Sequence, residues 1–246
     1  MVNKRKPKPE MKEMTFLDHL DELRTRLIIM LVAVAVGTVA CFFASKPVLV
    51  FVTTLSHVKL LALSPQTPFM VLLKLSLIMG IAVAAPVILL QAWLFVAPGL
   101  YPHERKYIWP AVLAGVLLFI IGGGFALFVV PYTLRFFEQF GAGYIVFNYD
   151  INKFVSFVGG FILAFGIVFQ LPIVLFFLAK IGVVDYAFLA GNRKFAVILT
   201  LVVGAILTPA DIFSMVVLAA PLYVLFEISL IIIRFTKPVN RDEYNE

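Results

Sequence analysis

Residues 108–130 read IWPAVLAGVLLFIIGGGFALFVV, from Ile108 to Val130, without one charged side chain. A helix needs about 20 apolar residues to cross the hydrocarbon core of a bilayer, and this run is long enough. The pattern returns in both directions along the chain. Leu27 to Ala44, Leu75 to Ala97, Phe154 to Ala179, Phe195 to Leu207 and Ile212 to Ile233 are all nearly free of charge. Composition agrees, because 62% hydrophobic and 14% charged residues, with a mean hydropathy of +1.04, do not fit a soluble domain of 246 residues. The sequence therefore predicts an all-α, polytopic membrane protein with six transmembrane helices. Phe195 to Leu207 is the short one, since at about 1.5 Å per residue it covers about 20 Å of a core about 30 Å thick. The bilayer should thin there, or polar ends should reach inward.

An even number of spans puts both termini on one side, and the basic residues say which. Fifteen Lys and Arg residues, among them Lys4, Arg24, Arg26, Arg105, Lys106, Lys180, Arg193, Lys194 and Arg234, fall on the terminal side. Lys46, Lys59, Arg135 and Lys153 fall on the other, with Lys74 near the start of span two. Both termini are thus expected in the cytoplasm. The expected organisation is a cytoplasmic tail and amphipathic helix over residues 1–26, a six-helix domain over 27–233 and a cytoplasmic tail over 234–246. The net charge of +6 follows from these orienting residues and calls for no nucleic acid.

Cys41 is the single cysteine, so neither a disulfide framework nor a thiolate metal cluster is expected. Thr38-Val39-Ala40-Cys41 superficially matches a lipoprotein cleavage site, but Asp18, Asp21 and Glu22 precede it and make the segment too long and acidic for a signal peptide. No soluble domain, repeat or low-complexity tract interrupts the spans. The outer connections Ser45 to Pro68 and Pro131 to Asn152 read as ordered caps. The third, Thr208-Pro209-Ala210-Asp211, is a tight turn in which Asp211 can cap span six.

Polar residues inside so apolar a chain are the functional candidates. Ahead of span one, Phe16, Leu20, Leu23 and Leu27 share one helical face while Asp18, Glu22 and Arg26 share another. That is an amphipathic helix running into the span, its acids available either for pairing with Arg26 or for a ligand. Pro86, Pro172 and Pro221 should kink spans two, four and six. Beside Pro172 lies Gln170, an amide that must face the bundle or a wet cavity, as helix-to-helix glue or as partner of the carbonyl that the proline frees. Glu227 in span six must pair, stay protonated or reach water. Gly122-Gly123-Gly124 lacks the Lys-Ser/Thr of a phosphate loop and reads as a close-packing site.

Phe16-Leu17-Asp18-His19-Leu20-Asp21-Glu22-Leu23-Arg24-Thr25-Arg26, the segment from Trp93 through Ala97-Pro98-Gly99 to Glu104, Phe169-Gln170-Leu171-Pro172, and Leu207-Thr208-Pro209-Ala210-Asp211-Ile212-Phe213-Ser214 with Glu227 beyond it together resemble TatC, the multispanning subunit of the twin-arginine protein translocase. The resemblance runs in order from about Phe16 to about Phe235. It implies a concave bundle whose last two helices are short. It further implies a receptor for signal peptides that carry consecutive arginines on folded cargo, working without cofactor in an oligomeric complex with single-span subunits of the TatA/TatB type. Transport in such a system is driven by the proton-motive force across a bacterial, archaeal or thylakoid energy-coupling membrane.

Carried over residue by residue, Glu22 and Glu104 match the acids associated with the arginine pair and Phe95 matches the nearby aromatic. Two adjacent guanidinium groups suit planar carboxylates, which accept bidentate hydrogen bonds that Lys cannot donate. Thr208, Asp211 and Met215 fall where partner subunits dock. The chain departs from the family pattern at three places: Gln170 stands where relatives often carry Glu, Met215 where they often carry Gln, and an acid common near Thr67 is missing. Two other classes are open to the sequence. A secondary transporter or channel could use Gln170 and Glu227, although the two halves show no repeat. An intramembrane hydrolase finds little support, because His19, His57 and His103 lie outside the spans and no nucleophile motif is present.

Overall fold

In the computed structural model, residues 16–99, 105–207 and 212–235 are described. The first helix, α1 (Phe16–Phe42), is followed by α2 (Ser45–Ser56), the two-residue strand β1 (Leu60–Leu61), α3 (Thr67–Val96) and α4 (Ile108–Gln139). Strand β2 (Tyr149–Asp150) leads into α5 (Ile151–Val168), then α6 (Leu171–Lys180), α7 (Tyr186–Gly191), α8 (Arg193–Leu207) and α9 (Ile212–Arg234). Five segments are long and apolar enough to cross a membrane: Leu17–Phe42, Thr67–Val96, Arg105–Gln139, Ile151–Lys180 and Met215–Arg234. With the 15-residue α8 they account for the six spans. The last two are the shortest, although α9, at 23 residues, still covers the core, and only α8 falls below it.

Helices outrun the apolar stretches that announce them. The amphipathic segment and span one form one helix with no break at Arg26, so Asp18 to Arg26 are the opening turns of the spanning helix itself. Helix α4 continues through Pro131 to Gln139 rather than ending at Val130. Packing explains the extension, since Val130, Pro131, Thr133 and Leu134 are all buried, and burial outweighs the one hydrogen bond that proline removes. Span four departs in the other direction. It is not kinked at Pro172 but divided at Phe169 and Gln170, and Pro172 sits in the first turn of α6, where its missing N–H has no helical acceptor to lose.

The connection from Ser45, expected to be an ordered cap, contains a helix. Ser45, Val52 and Ser56 of α2 are its buried face, and His57 ends it in a left-handed conformation at φ 53°. Beyond it β1 pairs in parallel with β2, Leu60 opposite Tyr149 and Leu61 opposite Asp150. The Tyr149 hydroxyl donates to Glu138 Oε1 over 3.0 Å, and burial together with that carboxylate pushes the phenol well above its usual range. Asp150 accepts from the Lys153 N–H at 2.8 Å and so caps α5. These contacts tie the α1–α3 and α4–α5 connections together over the bundle end opposite the termini.

Helices in lipid gain little from the hydrophobic effect against one another, so close approach of backbones has to hold them. Glycines supply it at several seams. A Cβ on Gly80 of α3 would lie 2.5 Å from the Thr38 nitrogen of α1, and one on Gly122 of α4 would lie 2.6 Å from the Phe165 carbonyl oxygen of α5. Of the Gly122-Gly123-Gly124 run only Gly122 makes this approach; Gly124 faces nothing within 4 Å. The main core joins α3, α4, α5 and α9 through Val71, Ala126, Phe161, Phe165, Leu218 and Leu222. Helix α1 stands apart from that core and packs along α3.

Candidate functional site

At the terminal end of the bundle the opening turns of α1 meet the last turns of α3. His19, Glu22 and Arg26 are three, four and seven residues apart and therefore share a face of α1. Gln91 and Phe95, four apart, form the matching face of α3. Arg26 Nη2 donates to Glu22 Oε1 at 2.9 Å, while its Nη1 donates across to Gln91 Oε1 at 2.9 Å. His19 stacks on Phe95 with ring centroids 4.3 Å apart and planes inclined by 16°. One guanidinium thus bridges two helices, and a ring pair closes the contact one turn further out.

Glu22 is left with unspent capacity. Its side chain is 17% exposed, and Oε2 is buried without a hydrogen-bond partner among the described residues. An ionised carboxylate can accept at about four lone-pair positions, and Arg26 occupies only one oxygen. A buried charged oxygen left unmatched is costly, so the group is primed for a further donor. The pair itself contributes little, because partly exposed ion pairs are worth about 0–1 kcal/mol. Below this cluster Trp93 packs on Phe177 at 4.2 Å, within a second core that includes Ile108, Ala111 and Ile173. That core fixes the end of α3 against α4 and α6, and with it the positions of Gln91 and Phe95.

Of the residues singled out from sequence, Glu22 and Phe95 are brought to one place. Glu104, Thr208 and Asp211 lie outside the described residues. Met215 is at the other end of the bundle, where its carbonyl oxygen would lie 2.8 Å from a Cβ on Gly204 of α8. His19 and Gln91 belong to the cluster although neither was singled out. The signal was the four-residue step from Gln91 to Phe95 at the end of an otherwise apolar helix.

Gln170 and Glu227 each find partners within the bundle. Gln170 Nε2 donates to the Gly115 carbonyl of α4 at 2.9 Å, with a longer 3.5 Å contact to Gly166 in its own span. It acts as glue between spans three and four. Replacing it with Leu is expected to cost about 1 kcal/mol, the usual size of such a bond in lipid, and thermal unfolding in detergent reads this directly. Glu227 accepts from Arg193 Nε at 2.9 Å and from Arg193 Nη2 at 3.1 Å, and its Oε1 also accepts from the Tyr223 hydroxyl at 2.8 Å. The carboxylate ties α9 to the start of α8, beside the Arg234–Tyr186 contact between α9 and α7. No group of three metal-ligating side chains occurs among the described residues.

Between these polar ties lies an open hollow of about 970 Å³, lined by α3, α5, α6, α7, α8 and α9, with Phe119 of α4 also in its wall. Ile88, Phe119, Leu171, Phe195 and Phe226 face it, and among its lining residues only Gln170, Asn192 and Thr200 carry polar side chains. It suits an extended or helical apolar segment far better than a polar solute.

Residues 18–221 match the model of the family described as "Sec-independent protein translocase protein (TatC)". A protein of that description from Carboxydothermus hydrogenoformans is 39% identical over 235 residues, covering 93% of this chain and 96% of its own. One from Helicobacter pylori is 37% identical over 228 residues, covering 92% and 90%. Among solved structures, a crystal structure of the twin-arginine translocase receptor TatC superimposes with a TM-score of 0.77 at 39% identity, over 88% of this chain and 98% of that one.

Proposed function

The chain belongs to the TatC family of Sec-independent protein translocases, a multi-pass membrane component of protein transport and not an enzyme, and from that premise we propose that it reads arginine pairs in signal peptides. The observation that carries the reading is Glu22, whose Oε2 is buried and unmatched among the described residues on a face shared with His19 and Phe95. A guanidinium from the peptide pairs with that oxygen, and Glu104, which precedes α4 in sequence, takes the second arginine. Phe95 and His19 offer ring faces on which a planar guanidinium stacks, as an ammonium does less well. Glu227, already matched by Arg193 and Tyr223, is structural in this scheme.

The apolar part of the peptide then lies in the hollow bounded by α3, α5 and α8. Single-span partner subunits of the TatA/TatB type pack against α8, where Ile198 and Val202 are exposed on a helix held chiefly by α9. Thr208 and Asp211, between α8 and α9 in sequence, and Met215 of α9 belong to the same contact in this reading. Both termini face the cytoplasm in this reading, which the distribution of Lys and Arg supports, and the proton-motive force drives the transport step. A secondary transporter is disfavoured by the almost wholly apolar lining of the hollow and by Gln170, whose amide nitrogen is spent on a backbone carbonyl.

Peptide specificity tests the reading. Purified chain in detergent is expected to bind an Arg-Arg signal peptide about tenfold more tightly than its Lys-Lys counterpart, a difference of about 1.4 kcal/mol. Equal affinities, measured by fluorescence anisotropy, would mean that the face recognises charge alone and that the guanidinium scheme is wrong.

A further inference from the structure

We propose that the seam between α3 and α5, at the end of the bundle opposite the termini, is a binding site for an anionic phospholipid. Lys74 and the side-chain amide of Asn152 hold the phosphate, Ser156 positions the ammonium, and an apolar cleft beside them takes part of an acyl chain. Lys74 lies seven residues into α3, about 10 Å along the helix from Thr67. Its ammonium donates to Asn152 Oδ1 and, over 2.9 Å, to Ser156 Oγ. Both acceptors are neutral. Among the described residues the ion pairs within 4 Å are Glu22–Arg26 and Glu227–Arg193, neither of which involves Lys74. Asp150, the acid nearest to Asn152 in sequence, turns Oδ1 to the Lys153 N–H instead.

A half-buried cation at the edge of a membrane, solvated by dipoles but not neutralised, calls for an anion. An ammonium has three protons to donate, and two are directed to Asn152 Oδ1 and Ser156 Oγ, whose own hydroxyl donates to the Asn152 carbonyl at 2.7 Å, so the third ammonium proton and the Asn152 side-chain NH2 are the donors left for a phosphate. Exposed Lys153, the neighbour of Asn152, adds a second positive charge.

The cleft makes the anion a lipid. About 150 Å³ of space lies between α2, α3 and α5, lined by Val52, Ile78, Ala82, Val155, Gly159 and Ile162 among others, all without polar side chains. Ile78 is four residues from Lys74 and Gly159 three from Ser156, so the cleft continues inward along the helix faces that carry the polar cluster. Val50 and Phe51 of α2 and Leu73 and Leu77 of α3 extend exposed apolar surface around it. Charge at the rim with hydrocarbon directly behind it is the pattern of a phospholipid and not of a free anion.

Native mass spectrometry of the purified full chain tests this, with phosphatidylglycerol, phosphatidylcholine or inorganic phosphate added in turn. The unaltered chain is expected to retain phosphatidylglycerol about tenfold better than phosphatidylcholine, and inorganic phosphate should not displace it. Lys74→Gln should bring the two lipids to parity, whereas Lys74→Arg should keep the preference. Ala82→Phe, which fills the cleft, should lower retention of both lipids. Parity in the unaltered chain, an undiminished preference in folded Lys74→Gln, unchanged retention in folded Ala82→Phe, or displacement by inorganic phosphate would each overturn the site.

Discussion

Replacing Gly80 with Val should detach α1 from the bundle and abolish signal-peptide binding, although position 80 lies about 16 Å along α3 from Gln91. The added Cβ would meet Thr38 backbone, nitrogen at 2.5 Å and Cα at 2.7 Å, and on the other side of the seam a Cβ on Gly37 would lie 2.9 Å from the Gly80 carbonyl oxygen. Backbone cannot swing aside as the tip of a side chain can, so one helix must move. Overpacking of this kind costs about 1–3 kcal/mol, and the upper end applies where the obstacle is main chain. Helix α1 has little else to hold it, because most of its residues are exposed to lipid or solvent and α3 is its main neighbour. Movement at the seam would pull Glu22 and Arg26 out of register with Gln91 and separate His19 from Phe95. Thermal unfolding and peptide binding should therefore both suffer, while Gly124→Ala, with nothing within 4 Å, should change neither. A Gly80→Val chain that unfolds within about 0.5 kcal/mol of the unaltered protein and still binds peptide would show that the seam is slack.

That seam also shows what the amino-acid sequence conceals. Uncharged runs reveal membrane helices because lipid penalises every charge, and all six spans were legible for that reason. Lone glycines such as Gly37 and Gly80 carry no comparable mark: each is one small residue in an apolar run, and its role exists only once another helix lies against it. The conspicuous Gly122-Gly123-Gly124 run was rightly read as a packing site, yet only its first member touches a neighbour closely. Helix ends were less legible than helix existence. Pro131 reads as a stop, but buried neighbours carry α4 two turns past it, and Pro172 reads as a kink where the chain in fact ends one helix and begins another.

The site was legible in part and for a definite reason. Glu22 and Phe95 stand out through the family pattern, whereas the pairing of Glu22 with Arg26 follows from their four-residue spacing alone. Their link to Gln91 does not, because it joins residues 65 positions apart across two helices. Glu227 shows the same limit. Sequence says that a carboxylate in apolar surroundings must pair, stay protonated or reach water, and names no partner. The partner is Arg193, the first residue of α8, 34 positions away.

Exchanging the charges of Glu22 and Arg26 should restore the fold and still leave the peptide site broken. In Glu22→Gln the ion pair is lost, but an amide oxygen remains for Arg26 and Gln91 still holds the guanidinium, so stability should fall by less than about 1 kcal/mol. Peptide affinity should fall much further, by about ten- to a hundredfold, since a hydrogen bond to a charged group contributes about 1.5–3 kcal/mol. The double exchange Glu22→Arg with Arg26→Glu recovers the four-residue pair, and Gln91 can turn its amide to donate where it had accepted. Its unfolding temperature should therefore match that of the unaltered chain. The acid, however, now sits about 6 Å deeper along α1, away from the His19–Phe95 rings and towards the span. If position sets recognition, Arg-Arg peptide binding stays as weak as in Glu22→Gln. If the doubly exchanged chain instead binds peptide normally, the cluster between α1 and α3 is a structural clasp and the arginines are read elsewhere.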